Sequence, residues 1–183
     1  MKSLKGQLLV ASAYLTDPNF VRTVVLLVHH DEEGAFGVVL NRLADITVSE
    51  LLEKVGLPPF DSDQLVHLGG PVPGPLMVVH GDSALSEMEI LPGVHFAAQR
   101  ENLERLLQQE EHPYRVFVNH SGWGAGQLED ELKQGAWLTT PATSEYVFCE
   151  EPDLWKRVTI LVGTSVLVDV LGIKHLPEEP GLN

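Results

Sequence analysis

Five consecutive apolar residues, Val24-Val25-Leu26-Leu27-Val28, constrain this chain more than any other stretch. Successive side chains on a strand point to opposite faces, so a wholly apolar run suits a strand covered on both. The run sits inside a longer strand-like segment, residues 21–30. The acidic turn Asp31-Glu32-Glu33-Gly34 follows it, and residues 35–41 return as a second buried strand. The centre of the fold is therefore expected to be a hairpin with protein layers on both sides.

The remaining segments supply those layers. Residues 8–12 read as a strand, and Thr16-Asp17-Pro18-Asn19 as a turn, because proline disfavours helix in the residue before it. Val48, Leu51, Leu52 and Val55 fall at helical spacing. Thr47 stands three residues before Glu50 as a capping box, and Gly56 is placed to end that helix. Residues 64–68 and 76–80 read as strands and 81–93 as an irregular acidic stretch. A helix follows at 101–110, with Leu103, Leu106 and Leu107 on one face. Further strands are expected at 114–119, 137–140 and 146–149. A glycine-rich turn is expected at 121–126, and helices at 127–133 and from Leu154 onward. Strands come in runs broken by single helices, which predicts an α+β domain with a mixed sheet rather than a doubly wound one. One domain over 1–175 with a proline-rich tail at 176–183 is the expected organisation.

Charge and cysteine content narrow the function classes. With 26 acidic and 12 basic residues the formal charge is −14. Its basic residues are scattered, the densest groups being Lys2/Lys5, Lys133 and Lys156-Arg157, so neither direct nucleic-acid binding nor an anionic membrane is expected. Cys149 is the single cysteine, which excludes an intrachain disulfide and a cysteine-based zinc site and suggests a cytoplasmic setting. With Glu150 and Glu151 beside it, that thiol reads as structural rather than reactive. The apolar stretch 158–171 contains Gly163, Ser165 and Asp169 and falls short of a membrane span. The lysine-flanked start is read as a first buried strand rather than a leader.

Sites of chemistry are sparse. Gly122-Trp123-Gly124-Ala125-Gly126 lacks the lysine and spacing of a phosphate-binding loop and reads as a tight structural turn with Trp123 packed beside it. The histidines, at 29, 30, 67, 80, 95, 112, 120 and 175, form no metal-binding spacing. A site assembled from His67, His80 and His120 is conceivable, although strand-end histidines are commonly just hydrogen-bonded. Neither a metal nor a cofactor is expected. Ser121 does not sit in a nucleophile elbow.

Several segments together resemble a known family. They are Gly6-Gln7-Leu8-Leu9-Val10-Ala11, Asp17-Pro18-Asn19-Phe20-Val21-Arg22-Thr23-Val24, and Gly34-Ala35-Phe36-Gly37-Val38-Val39-Leu40-Asn41-Arg42. Gly69-Gly70-Pro71-Val72, Gly122-Trp123-Gly124-Ala125-Gly126-Gln127-Leu128-Glu129 and Trp137-Leu138 complete the set. In order and identity they resemble the YqgE/AlgH family of bacterial proteins. That resemblance implies a single α+β domain with a bulged, barrel-like, mostly antiparallel mixed sheet flanked by helices. It brings no established activity and no defined catalytic residues, although the AlgH name carries a transcriptional-regulator label. The chain departs from the family pattern at Ser12-Ala13-Tyr14, Leu43, Asn119-His120-Ser121 and Cys149.

The leading expectation is a domain that binds a small anion or a protein partner, with regulation, if any, being indirect. Its candidate ligand-binding residues lie on three polar loops: Asn41 and Arg42; Gly69 and Gly70; and Ser121, Trp123 and Gln127. Arg42 is the one cation among them and the natural anchor for a carboxylate or phosphate, unless it pairs with Asp45 or Glu129. The alternative expectation is a hydrolase or transferase using His120 with Ser121 or a remote acid.

Overall fold

The apolar run is used as a strand walled on both sides. Val24, Leu26 and Val28 enter one core cluster, Val25 and Leu27 enter another, and all five are fully buried. The computed structural model describes residues 2–109, 111–150 and 153–171. The expected tail at 176–183, like His175, lies outside the described residues.

The strands are β1 (Gln7–Ala11), β2 (Val24–Asp31), β3 (Gly34–Val39), β4 (Leu43–Thr47), β5 (Leu65–Leu68), β6 (Met77–His80), β7 (Met88–Leu91), β8 (Val94–Ala97), β9 (Tyr114–Val118), β10 (Ser121–Gly124) and β11 (Trp137–Pro141). The helices are α1 (Val48–Val55), α2 (Arg100–Leu106), α3 (Gln127–Lys133), α4 (Ser144–Phe148) and α5 (Leu154–Leu171). The strands form two sheets, ordered β10-β3-β2-β1-β11 and β4-β5-β9-β6-β8-β7. All pairings are antiparallel except β5 with β9, and the register shifts within β2–β3, β4–β5 and β7–β8. The α+β expectation holds, with the mixed, bulged strands shared between two sheets.

The sheets face each other across one core. Leu8, Val10, Leu26 and Val38 on the first sheet meet Met77, Val79, Val94 and Phe117 on the second, and Val147, Leu154 and Val158 of α4 and α5 join them. The far side of the second sheet is covered by α1 and α2 through Leu52, Leu103 and Leu106. The far side of the first carries α3, with Leu128 packed beside Trp123 and Trp137. Both indole N–H groups donate to one Oε2 of Glu131, at 2.9 and 2.8 Å. Replacing Glu131 with leucine strands two buried donors and is expected to cost about 2 kcal/mol, read as a lower urea midpoint.

Local signals explain most elements. Thr47 and Glu50 form the reciprocal capping box at the start of α1, and Gly56 ends it in the left-handed conformation with φ 66°. Three expectations are corrected. Residues 81–93 are not irregular throughout: a short 3-10 turn (Ser83–Leu85) leads into β7, which joins β8 through the two-residue turn Pro92-Gly93. Proline fixes the first φ of such a turn, and Gly93 supplies the positive one, 76°. Residues 121–124 are a strand, not part of a turn, because their glycines let the backbone pair closely with Gly34–Gly37 of β3. A Cβ on Gly34 would lie 2.2 Å from the Trp123 carbonyl oxygen. Residues 146–149 are not a strand, since Thr143 caps the Tyr146 N–H and starts α4. The edge strand β4 has no sequence signal of its own. No helix of the described residues is long and apolar enough to cross a membrane.

Candidate functional site

Of the expected residues, Gly69 and Ser121 meet directly, the Arg42 carbonyl accepts from the Leu68 N–H, and Asn41, Trp123 and Gln127 are engaged elsewhere. Gly69 bridges the sheets: its carbonyl accepts from the Val39 N–H at 2.9 Å and from the Ser121 hydroxyl at 3.0 Å, and its N–H donates to Val118. Asn41 ties two strand ends, accepting from the Val24 N–H and donating to the Arg22 carbonyl, both at 2.9 Å. Arg42 donates to the carbonyls of Pro18 and Val21 at 3.2 and 3.1 Å, and among the described residues it makes no ion pair. The pairing with Asp45 or Glu129 is thereby corrected: Glu129 instead accepts from His30 at 2.9 Å. Trp123 is committed to Glu131, and Gln127 accepts from the Gly124 N–H and donates to Glu131.

Gly70 shows how tight this junction is. A Cβ there would lie 2.4 Å from the His120 carbonyl carbon and oxygen and from the Ser121 hydroxyl. Gly70→Ala is therefore expected to destabilise the fold by about 2–3 kcal/mol in chemical denaturation.

Ser121 is fully buried with its hydroxyl given to Gly69, so no substrate reaches it. His120 lies edge-on to Phe36 at 5.8 Å and has no hydrogen-bonding acid among the described residues. His67, His80 and His120 are not gathered around one point, and no group of three metal-binding side chains occurs among the described residues.

Of the expected ligand-binding residues only Asn41 lines the cavity that makes a site, and the rest of its wall is different. This cavity, of about 540 Å³, is lined by residues of β4, β5 and β9, by Leu40 and Asn41 just after β3, and by Phe148 and Leu154 of α4 and α5. Arg115 of β9 and His67 of β5 line it, with Tyr114, Cys149 and Glu150. The alternation of β9 places Arg115 on the same face as the core residue Phe117, so its charge is directed inward. Arg115 is only 7% exposed. It donates to the Leu40 carbonyl at 3.1 Å and to the Cys149 carbonyl. Burial pushes the guanidinium pKa down and the charge of nearby Glu150 opposes this. No carboxylate lies within ion-pair distance of Arg115 among the described residues. Two of its five N–H groups are thus engaged.

His67 packs against Phe117 at 5.2 Å, and its buried Nδ1 has no partner. Burial and then the charge of Arg115 pull its pKa down to about 4, so the ring is neutral near pH 7. Cys149 also lines the cavity, while its thiol donates to the Tyr146 carbonyl at 3.4 Å. A smaller cavity of about 380 Å³ adjoins, sharing Gln64, Pro113 and Tyr114. Sequence reasoning misses Arg115 because it looks for a cation on a loop. The available signal is an arginine inside the otherwise apolar-rich strand Tyr114-Arg115-Val116-Phe117-Val118.

Fold and site define an α+β domain of two facing sheets with a cavity lined by β4, β5 and β9. The family model described as DUF179, AlgH-like, matches residues 8–167, and the chain belongs to that family. It is 37% identical over 186 residues to the UPF0301 protein CT0663 of Chlorobaculum tepidum, covering 97% of this chain and 95% of that protein. A UPF0301 protein of Myxococcus xanthus is 38% identical over 177 residues, covering 94% and 98%. Among solved structures, the AlgH protein from Pseudomonas aeruginosa superposes with a TM-score of 0.75 at 29% identity, over 97% of this chain and 100% of that one. Protein DIP2367 from Corynebacterium diphtheriae shares the fold, with a TM-score of 0.71 at 24% identity.

Proposed function

We propose that this domain binds a small anion in the cavity around Arg115 and His67. One observation carries the reading: Arg115, 7% exposed, lines a cavity of about 540 Å³ without a carboxylate partner among the described residues. A buried charge without a counter-ion costs several kcal/mol. A ligand carboxylate or phosphate relieves that cost and takes the fork of free N–H groups. This keeps the expectation of an anion and moves its anchor from Arg42 to Arg115.

Other features support a binding role that is indirect with respect to nucleic acid. Lys133, Arg100 and Arg157 pair with Asp130, Glu104 and Glu145, and Arg42 is engaged with backbone carbonyls. Those contacts, at a formal charge of −14, disfavour a polyphosphate backbone. A cytoplasmic location accords with the single thiol. A regulatory role would then pass through ligand occupancy and a protein partner.

The test is an NMR titration with sodium acetate and with inorganic phosphate at fixed ionic strength. Saturable shifts are expected at the Arg115 side-chain Nε–H and at the amides of His67 and Cys149. Shifts absent there, or located around Arg42, would overturn the proposal.

A further inference from the structure

The rest of the cavity wall says what kind of anion it takes. We infer that the ligand is a monocarboxylate with an apolar body, its carboxylate on the Arg115 fork and its hydrocarbon part along Leu40, Leu43, Leu65, Phe148 and Leu154. This rests on the anion reading above.

Three observations favour it. First, charge: among the described residues Arg115 is the one cation lining the cavity, while Asp63 and Glu150 also line it. A dianion such as phosphate meets stronger repulsion from those two carboxylates than a monoanion does, while the same single guanidinium faces either. Second, hydrogen bonding: the planar fork of Arg115 matches a carboxylate bidentately, and the neutral ring of His67 lines the same cavity without adding a second charge. Third, the wall: among the described residues seven aliphatic or aromatic side chains line the cavity besides His67, namely four leucines, Pro113, Tyr114 and Phe148, and at its mouth Leu43 and Leu65 are 55% and 40% exposed. Exposed leucines beside a cavity gain by being covered, and a ligand with an apolar body covers them. The volume lies within the range of small-molecule sites, about 300–1,000 Å³.

The experiment measures the affinities of acetate, butyrate, hexanoate, octanoate, octylammonium and inorganic phosphate for the full chain, by NMR titration. Affinity is expected to rise about fourfold for each methylene buried, until the cavity is filled. Octylammonium is expected not to bind. In Leu43→Ser and Leu65→Ser, both partly exposed positions, the chain-length dependence should shrink while acetate binding stays. If acetate binds at Arg115 and octanoate binds no tighter, the inference falls and the anion reading stands. Phosphate binding more tightly than octanoate has the same consequence. If octylammonium binds as well as octanoate, or if no probe shifts Arg115 or His67, both fall.

Discussion

Between pH 6.5 and pH 4 the protein is expected to lose on the order of 6 kcal/mol of stability, about 3 kcal/mol from each of two histidines. His80 is fully buried with neither ring nitrogen hydrogen-bonded, and burial, then the charge of His95 at 5.8 Å between ring centroids, pulls its pKa down to about 4. His67 is lowered to about 4 by burial and by Arg115. Both lie below the ordinary 6.5. On acidification the unfolded chain therefore takes up protons first, and stability falls as the pH drops. Their full contribution is present above 6.5 and is exhausted near 4. A loss of this size is comparable with the whole stability of a typical domain, about 5–15 kcal/mol. Urea midpoints measured across this range check it, and a flat profile down to pH 4.5 contradicts it. His80→Leu is expected to remove about half the slope. The Asp82 carboxyl, held low by a hydrogen bond from Gln109, acts further down, its contribution fading as the pH falls below the usual carboxylate range.

Arg115→Met is expected to abolish anion binding, lowering affinity about a thousandfold, or about 4 kcal/mol, while the fold remains within about 1 kcal/mol of the parent. Methionine fills similar volume and removes a desolvated charge. Against that gain stand the lost hydrogen bonds to the Leu40 and Cys149 carbonyls. A purely structural arginine would behave the other way, with ligand affinity kept and the urea midpoint falling sharply. Arg115→Lys keeps the charge and loses the fork, so it should retain part of the affinity. Measuring midpoint and affinity together on both variants separates a ligand anchor from an internal brace.

What can be read from the sequence depends on how local the cause is. The apolar run at Val24–Val28 and the capping box at Thr47 and Glu50 act through neighbours within a few residues, and the structure has both as expected. β10 is hidden because its pairing with β3 is long-range, and its glycines serve a backbone approach that looks like a turn. α4 resembles a strand in sequence because Tyr146, Val147 and Phe148 favour extended chain, and one cap at Thr143 outweighs them. The site follows the same rule. Gly69 and Ser121 do come together, but as a structural joint, while Asn41 holds Val24 and Arg22 instead. The cavity is lined by residues from Leu40 to Leu154 that are far apart in sequence, and only the folded chain shows that.

Because β2 is enclosed on both sides, neither parity of its residues from Val24 to Val28 can turn polar without reaching a core. In an ordinary half-exposed strand every second position is free to drift. Here that freedom is gone, so the ribbon at the centre should evolve slowly and as a unit, while divergence collects in the helices and connecting segments around it.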